Sequence, residues 1–281
     1  MHLCVHLTGE FMHATYMHAT NASGKVWILG AGPGDPELLT LKALRALEVA
    51  DLILFDHLVS TEIRALFPAA VPAFYVGKKK GQHSIAQKDL NALLIRKARE
   101  GKNICRVKGG DPYVFGRGGE EALALVQAGV AVEVVPGVTS ASGCTTYAGI
   151  PLTHRGLAQG CTFVTAHGET EADLNWSALA QVRHTLVFYM GLSKAAWIQQ
   201  SLRENGMAGR TPVAFIENGC RENQRVITGC LSELAQLVER CRIQSPALIV
   251  VGEVVGLAAE LSPENLNSEF YSQFHEQRLS A

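Results

Sequence analysis

Short apolar runs rich in β-branched residues alternate along this chain with longer segments whose apolar residues recur every three or four positions. The short runs are typical of buried strands and the longer segments of helices. In the first helical segment, Leu38–Ala50, leucines recur at helical spacing, and Asp35-Pro36 or Thr40 is suited to begin the helix. The regular alternation predicts an α/β protein with a largely parallel sheet.

The pattern defines each element in turn. The predicted strands are Val26–Leu29, Leu52–Phe55, Ile104–Val107, Val132–Val135, Thr162–Thr165, Thr185–Tyr189, Val213–Ile216 and Ala247–Val251, with a further extended stretch at Ala73–Val76. The other predicted helices are Gln87–Glu100, Glu120–Ala128, Lys194–Asn205 and Ser232–Arg240.

Pro136-Gly137 is the predicted boundary between two α/β domains, residues 25–136 and 137–261. Residues 1–24 contain no Lys or Arg and repeat Met-His-Ala-Thr, so we expect a flexible N-terminal extension. Residues 262–281 are expected to form a polar C-terminal tail.

Glycine and polar residues gather just after many of the predicted strands. In open α/β sheets, ligands bind beyond the carboxyl ends of the strands. Because both predicted domains carry such residues, the sequence predicts a binding site in a cleft between them.

Composition narrows the classes of partner. Hydrophobic residues make up 47% of the 281 residues and the formal net charge is -1, so the chain can bury a core and has no global field for a polyanion. The chain has no basic tail of the kind that would indicate nucleic-acid binding. The odd count of seven cysteines, without C-x-x-C spacing, argues against a disulfide framework and a metal site. With no apolar run long enough to span a membrane and no signal peptide, we expect a cytoplasmic protein.

Two glycine-rich segments are candidate ligand loops. Gly30-Ala-Gly-Pro-Gly-Asp35 follows the first strand, but it is neither a dinucleotide fingerprint nor a phosphate-binding Walker loop. Gly109-Gly-Asp-Pro-Tyr-Val-Phe-Gly-Arg-Gly-Gly-Glu120 is more distinctive: its glycines allow close backbone approach, and Arg117 is suited to hold a carboxylate with two hydrogen bonds.

Two further clusters of cationic side chains stand near glycine-rich strand ends, namely Lys78, Lys79, Lys80 and His83, and His154 with Arg155. A single charge run is usually a solvated surface. Three cationic groups beside candidate ligand loops instead favour a polyanionic small-molecule substrate.

These motifs together resemble the uroporphyrinogen-III C-methyltransferases of the tetrapyrrole (precorrin) methylase family. The resemblance covers about Lys25 to Leu261 and rests on GAGPGDPELL, GGDPYVFGRGGEE, VVPGVTSASG, AGIPLTHR, TLVFYMGL and SPALIVVGEVV. It implies two α/β domains of the tetrapyrrole methylase type with the active site in the cleft between them, and a homodimer.

The resemblance also implies a cofactor, S-adenosyl-L-methionine, which becomes S-adenosyl-L-homocysteine. Carried onto matching positions, its binding residues are Pro33, Gly109, Gly110, Asp111, Val114, Thr139, Ser140, Met190, Ala214, Gly219 and Ala247. The implied reaction is methylation of uroporphyrinogen III at C2 and C7, giving precorrin-2 by way of precorrin-1, for siroheme, cobalamin or haem d1.

The same resemblance implies catalytic roles for Asp56 as proton acceptor and Lys78 as proton donor. Arg117 is placed with them, first as a carboxylate clamp, because arginine is a poor base. The expected substrate-binding residues are Lys78, Arg117, Glu120, His154 and Arg155. Two alternatives stay open: a methylase of another precorrin intermediate, and a non-catalytic S-adenosylmethionine sensor.

Overall fold

The computed structural model describes residues 23–77, 86–166 and 174–261, which form two five-stranded sheets. Each sheet is covered by helices on both faces and has its own pair of apolar clusters. The predicted fold class, two α/β domains, is confirmed. The predicted extension 1–24, apart from its last two residues, and the tail 262–281 lie outside the described residues.

The first sheet is parallel throughout, with strand order β3-β2-β4-β1-β5. Its strands are β1 Lys25–Gly30, β2 Leu52–Phe55, β3 Ala73–Tyr75, β4 Ile104–Lys108 and β5 Ala131–Val135. The helices of this half are α1 Leu41–Glu48, α2 Thr61–Arg64, α3 Gln87–Arg99 and α4 Gly118–Gln127. All the strands predicted here are present.

Helices α1 and α4 cover opposite faces of the first sheet. Leu47 of α1 packs with Leu29 and Val107 on one face, whereas Leu125 of α4 packs with Ile28 and Ile104 on the other. From β1 the chain passes through α1 to β2, toward one side of the sheet, and from β4 it passes through α4 to β5, toward the other side. The order in which strands are added to the sheet therefore reverses at the adjacent strands β1 and β4. Crevices for ligands form at such a reversal.

The first helix is shorter than predicted. A 3-10 turn occupies Pro36–Leu38, with the Asp35 side chain accepting a hydrogen bond from the Glu37 amide. The α-helix then begins at Leu41, where Thr40 caps it by accepting from the Ala43 amide. Both suggested start signals are therefore used, in succession.

The second sheet has strand order β6-β7-β10-β8-β9 and is mixed. Its strands are β6 Gly160–Thr165, β7 His184–Tyr189, β8 Pro212–Glu217, β9 Arg225–Cys230 and β10 Ala247–Val251. Only the β6–β7 pair is parallel; the other pairings are antiparallel. The expectation of a largely parallel sheet is wrong for this half, because apolar periodicity does not report strand direction.

The helices of the second half are α5 Ser140–Tyr147, α6 Trp176–Gln181, α7 Ala195–Glu204, α8 Leu234–Arg240 and α9 Ala258–Leu261. Helix α5 contributes Ala141 and Cys144 to the apolar cluster on one face of the second sheet, and α7 contributes Ile198 and Leu202 to the other. Strand β9 and helices α2, α5, α6 and α9 were not predicted. The chain passes between the sheets after Val135, and the domain boundary at Pro136-Gly137 stays a prediction.

Candidate functional site

The carboxyl ends of β1 and β4 are joined beyond the sheet by their glycine loops. Gly32 and Gly110 form an isolated antiparallel bridge, with amide-to-carbonyl distances of 3.2 and 2.7 Å. Both glycines have positive φ, 72° and 67°, a conformation that costs other residues energy. The two candidate ligand loops are thus one structural unit at the point where the chain reverses.

The end of β5 packs against the same unit. A Cβ built on Gly137 would lie 2.5 Å from the Gly110 carbonyl oxygen and 2.7 Å from the Gly30 carbonyl carbon. Asp111 holds this arrangement, because its carboxylate accepts from the Gly137 amide at 3.1 Å and from the Tyr113 amide at 2.8 Å. Glycine at these positions allows three backbone segments to meet at the floor of the site.

One edge of the second sheet faces this floor. Strands β7 and β8 run in the same direction and β10 runs opposite to both. Met190, Gly219 and Ala247 therefore lie at the same end of these strands. Met190 and Asn218 both adopt positive φ, 54° and 51°, where their strands turn away. The sequence therefore places irregular backbone from both domains around one space.

That space is a cavity of about 610 Å³ between the two domains, a volume typical of small-molecule sites. Glycines and Pro33 of the first domain form one side. Most of the opposite side is apolar and comes from the second domain: Tyr189, Met190, Leu192, Ile216, Val238, Ile243, Pro246, Ala247 and Leu248.

Most of the predicted cofactor-binding residues come together here. Those that line the cavity are Pro33, Gly109, Gly110, Ser140, Met190, Gly219 and Ala247. The others named from the resemblance, Asp111, Val114, Thr139 and Ala214, do not line it. Their predicted contacts stay predictions.

Two of those remaining residues support the cavity from outside. Thr139 shares a 2.6 Å hydrogen bond with the hydroxyl of Tyr189, a lining residue, and the same hydroxyl accepts from the Ala141 amide at 2.8 Å. Burial raises the pKa of Tyr189. Ala214 is fully buried in β8, two residues before Ile216, in the cluster behind the apolar wall.

Asp56 lies where β2 ends, beside the glycine loop that follows β4. Its carboxylate accepts from the Gly109 amide at 3.3 Å and from the Leu58 amide at 3.2 Å. Gly109 and Leu58 both line the cavity, so Asp56, which does not line it, is one hydrogen bond away from two residues that do. The side chain is 23% exposed.

A buried charge cluster behind Asp56 was not predicted. Arg106 and Lys108 of β4 point to the same face of the sheet, and both bind the Glu121 carboxylate, at 3.3 and 3.1 Å. Arg106 also lies 3.5 Å from Asp56. Burial, with Arg106 adding to it, lowers the pKa of Lys108, while Glu121 opposes that shift. Two cations at alternate positions of a buried strand are the sequence signal that points to a buried acid.

Arg117 forms its own ion pair in this structure. It sits at positive φ, 58°, before α4, and its guanidinium holds Glu120 with two hydrogen bonds of 2.8 and 2.6 Å. The bond to Arg117 lowers the pKa of Glu120. Both side chains are about half exposed and neither lines the cavity. Both hydrogen bonds go to Glu120 of the same chain, so the role of Arg117 as a clamp for a substrate carboxylate stays a prediction.

The remaining predicted substrate-binding residues are not gathered at the cavity. His154 and Arg155 are exposed in a turn, bridged from His154 to Ala158, that leads into the amino end of β6. The cavity lies at the opposite end of the strands, where β7 ends. Lys78 falls outside the described residues. The roles of these residues stay predictions.

Two thiols stand together at the cavity wall. Cys144 of α5 lines the cavity. Its hydrogen bond with Cys220 raises its pKa well above the usual value, and burial adds to this shift. All the cysteines in the described part of the chain are free, and Cys161 is exposed rather than buried.

Within 23–77, 86–166 and 174–261, no cluster of three metal-ligating side chains occurs. No helix in these ranges is long and apolar enough to cross a membrane.

This chain belongs to the Tetrapyrrole (Corrin/Porphyrin) Methylases, whose family profile it matches over residues 25–235. It is 51% identical over 249 residues to a siroheme synthase of Pseudoalteromonas translucida, an alignment that covers 87% of this chain and 53% of that protein. It is 53% identical over 248 residues to siroheme synthase 1 of Aeromonas salmonicida, covering 88% of this chain and 53% of that one. The chain thus spans about half the length of these curated relatives.

Solved structures resemble most of the chain. A uroporphyrin-III C-methyltransferase from Thermus thermophilus, complexed with S-adenyl homocysteine, is 44% identical with a TM-score of 0.72. The match covers 83% of this chain and 100% of that one. A cobalt precorrin-4 methyltransferase is 26% identical with a TM-score of 0.74, covering 84% of this chain and 97% of that one.

Proposed function

We propose that this protein is an S-adenosylmethionine-dependent methyltransferase that methylates uroporphyrinogen III at C2 and C7, giving precorrin-2 by way of precorrin-1. The observation that carries the proposal is the cavity between the domains, which has glycine loops on one side and two lining residues, Gly109 and Leu58, that are hydrogen-bonded to Asp56. Support also comes from the Thermus enzyme, which matches over its full length and was solved with S-adenyl homocysteine.

The cavity fits a nucleoside thioether. Its apolar wall suits the flat face of a purine, and Gly109 and Gly110 leave the floor open to close backbone approach. A Cβ at Gly110 would lie 3.4 Å from Ser140 Oγ, and because both residues line the cavity we expect the added carbon to take up space there. When bound, S-adenosylmethionine supplies an electrophilic methyl group.

The protein's own contribution is to position the acceptor, exclude water and take up a proton. Positioning alone is worth about 7–11 kcal/mol in favourable cases. Asp56, next to the cavity, is the proposed proton acceptor, with Arg106 and the Gly109 amide fixing its carboxylate. Lys78 is the proposed donor, and Arg117, Glu120, His154 and Arg155 are the proposed contacts to the macrocycle.

The proposed setting is a cytoplasmic homodimer whose partner is the small-molecule substrate, without nucleic acid or membrane. The near-neutral net charge of -1 supports the absence of nucleic acid. We propose that the product is used in siroheme biosynthesis, because the relatives that are 51% and 53% identical in sequence are siroheme synthases.

Methylation and cofactor binding by the wild-type protein test this function, and Asp56→Asn tests the role of Asp56. The amide keeps an acceptor oxygen for the Gly109 amide but removes the charge, so methylation of uroporphyrinogen III should fall about 10²- to 10⁴-fold while S-adenosylhomocysteine affinity holds. The assay is steady-state methylation beside calorimetric titration of each protein. Wild-type protein that binds no S-adenosylhomocysteine would refute the function, and normal methylation by Asp56→Asn would refute only the role of Asp56.

A further inference from the structure

Arg221 is the one charged side chain among the described residues that line the cavity. It follows β8, in the turn that also carries Asn218 and Gly219. The surrounding wall is apolar or formed by glycine, hydroxyl, thiol and amide groups. A lone cation in such a wall favours an anionic group on the ligand, because the interaction is stronger there than in bulk water.

The side chain of Arg221 crosses from the second domain to the first. Its terminal nitrogen donates to the Leu58 carbonyl at 3.0 Å, and its stem packs on Gly34, where a built Cβ would lie 2.8 Å from Arg221 Cγ. Gly34 and Leu58 flank the floor of the cavity. The guanidinium is therefore held at the junction of the two domains.

The donor capacity of this guanidinium is not used up. Its Nε is buried and has no hydrogen-bond partner, and Arg221 forms no ion pair within the described part of the chain. An unpartnered buried donor costs free energy unless a ligand satisfies it. Arg225, four residues later, is a contrast, because it binds Glu217 at 3.1 Å.

We propose that Arg221 binds a carboxylate of the ligand in this cavity. The inference rests on the proposed function, which supplies two sources of that group: the amino-acid end of the methyl donor, and the carboxylates of the macrocycle. A guanidinium offers a planar fork that matches a carboxylate with two hydrogen bonds.

The test compares wild type with Arg221→Gln against two nucleosides. S-adenosylhomocysteine carries the amino-acid carboxylate, and 5′-methylthioadenosine lacks it. If the donor is the source, Arg221→Gln should weaken S-adenosylhomocysteine about 10- to 100-fold and leave methylthioadenosine unchanged. If the macrocycle is the source, the KM for uroporphyrinogen III should rise by the same factor at saturating donor.

Two further variants separate binding from a structural role. Arg221→Lys keeps the charge without the fork and should give an intermediate loss; Arg45→Gln, at an exposed position of α1, should match wild type. Equal weakening of both nucleosides, or no change in either affinity and in KM, would overturn the proposal. Failure of wild type to bind either nucleoside would instead refute the proposed function.

Discussion

At the scale of single residues, two adjacent glutamates have different environments and different ion-pair partners. Glu120 is exposed and pairs with Arg117, whereas Glu121 is fully buried and joins Arg106 to Lys108. Gln87 of α3 donates to the same Glu121 oxygen at 3.2 Å. Glu121 thus compensates two buried cations behind Asp56.

Glu121→Gln should therefore lower the free energy of unfolding by about 3–5 kcal/mol, because two buried cations lose their shared partner. Glu120→Gln is the matched control and should cost less than about 1 kcal/mol, since its ion pair is exposed. Urea denaturation of both variants measures the difference. Equal costs would mean that Glu121 does not neutralise the cluster.

Arg117→Lys tests the geometry of the clamp. The substitution keeps the charge and the positive-φ backbone position but removes the planar fork that now holds Glu120. Methyl transfer to uroporphyrinogen III should fall about 10- to 100-fold, while S-adenosylhomocysteine affinity stays near wild type. Normal methylation would exclude Arg117 as the clamp, and a loss of nucleoside affinity alone would assign it to the other ligand.

At the scale of elements, the loop after β4 determines the floor of the cavity. Gly110→Ala and Gly129→Ala both place alanine at positive φ, near 70°, so each should lose about 1 kcal/mol of stability. A methyl at Gly129 meets nothing within 4 Å, whereas one at Gly110 faces Ser140 in the cavity. Only Gly110→Ala should weaken S-adenosylhomocysteine, by about tenfold or more in calorimetric titration. Equal affinities for the two variants would remove this loop from the site.

The sequence predicts elements well where one physical signal dominates. Strands such as Leu52–Phe55 are apolar throughout and lie between helices, and their bounds match the structure. Apart from Tyr147 at its end, helix α5 has only small side chains and no apolar period, and β9 contains Arg225 and Gly229. Both are held by tertiary packing, which the local pattern does not encode.

The same contrast applies to the site. Glycine loops after strands indicate a ligand-binding region, and the family resemblance named eleven cofactor-binding residues, of which seven line the cavity. Their contacts with the cofactor stay predictions. The cluster of Arg106, Lys108 and Glu121, and the reach of Arg221 across the domains, depend on which elements pack together. That information lies in the crossover topology rather than in any motif.

At the scale of the whole molecule, two side chains of the second domain reach the first domain next to the cavity. Tyr147 of α5 donates to Asp35 at 2.5 Å, and this hydrogen bond raises the pKa of Tyr147 to about 12. Arg221 makes the second link, to Leu58. Together they tie the end of the first glycine loop, at Asp35, and the segment after β2, at Leu58, to the second domain.

The most direct test of the account is the number of methyl groups that the purified wild-type protein adds to uroporphyrinogen III. The reaction is run anaerobically with S-adenosylmethionine, and the macrocycle is analysed by mass spectrometry. A singly methylated species should appear first and give way to a doubly methylated product. Protein that binds S-adenosylhomocysteine yet leaves uroporphyrinogen III without methyl groups would contradict the proposed function.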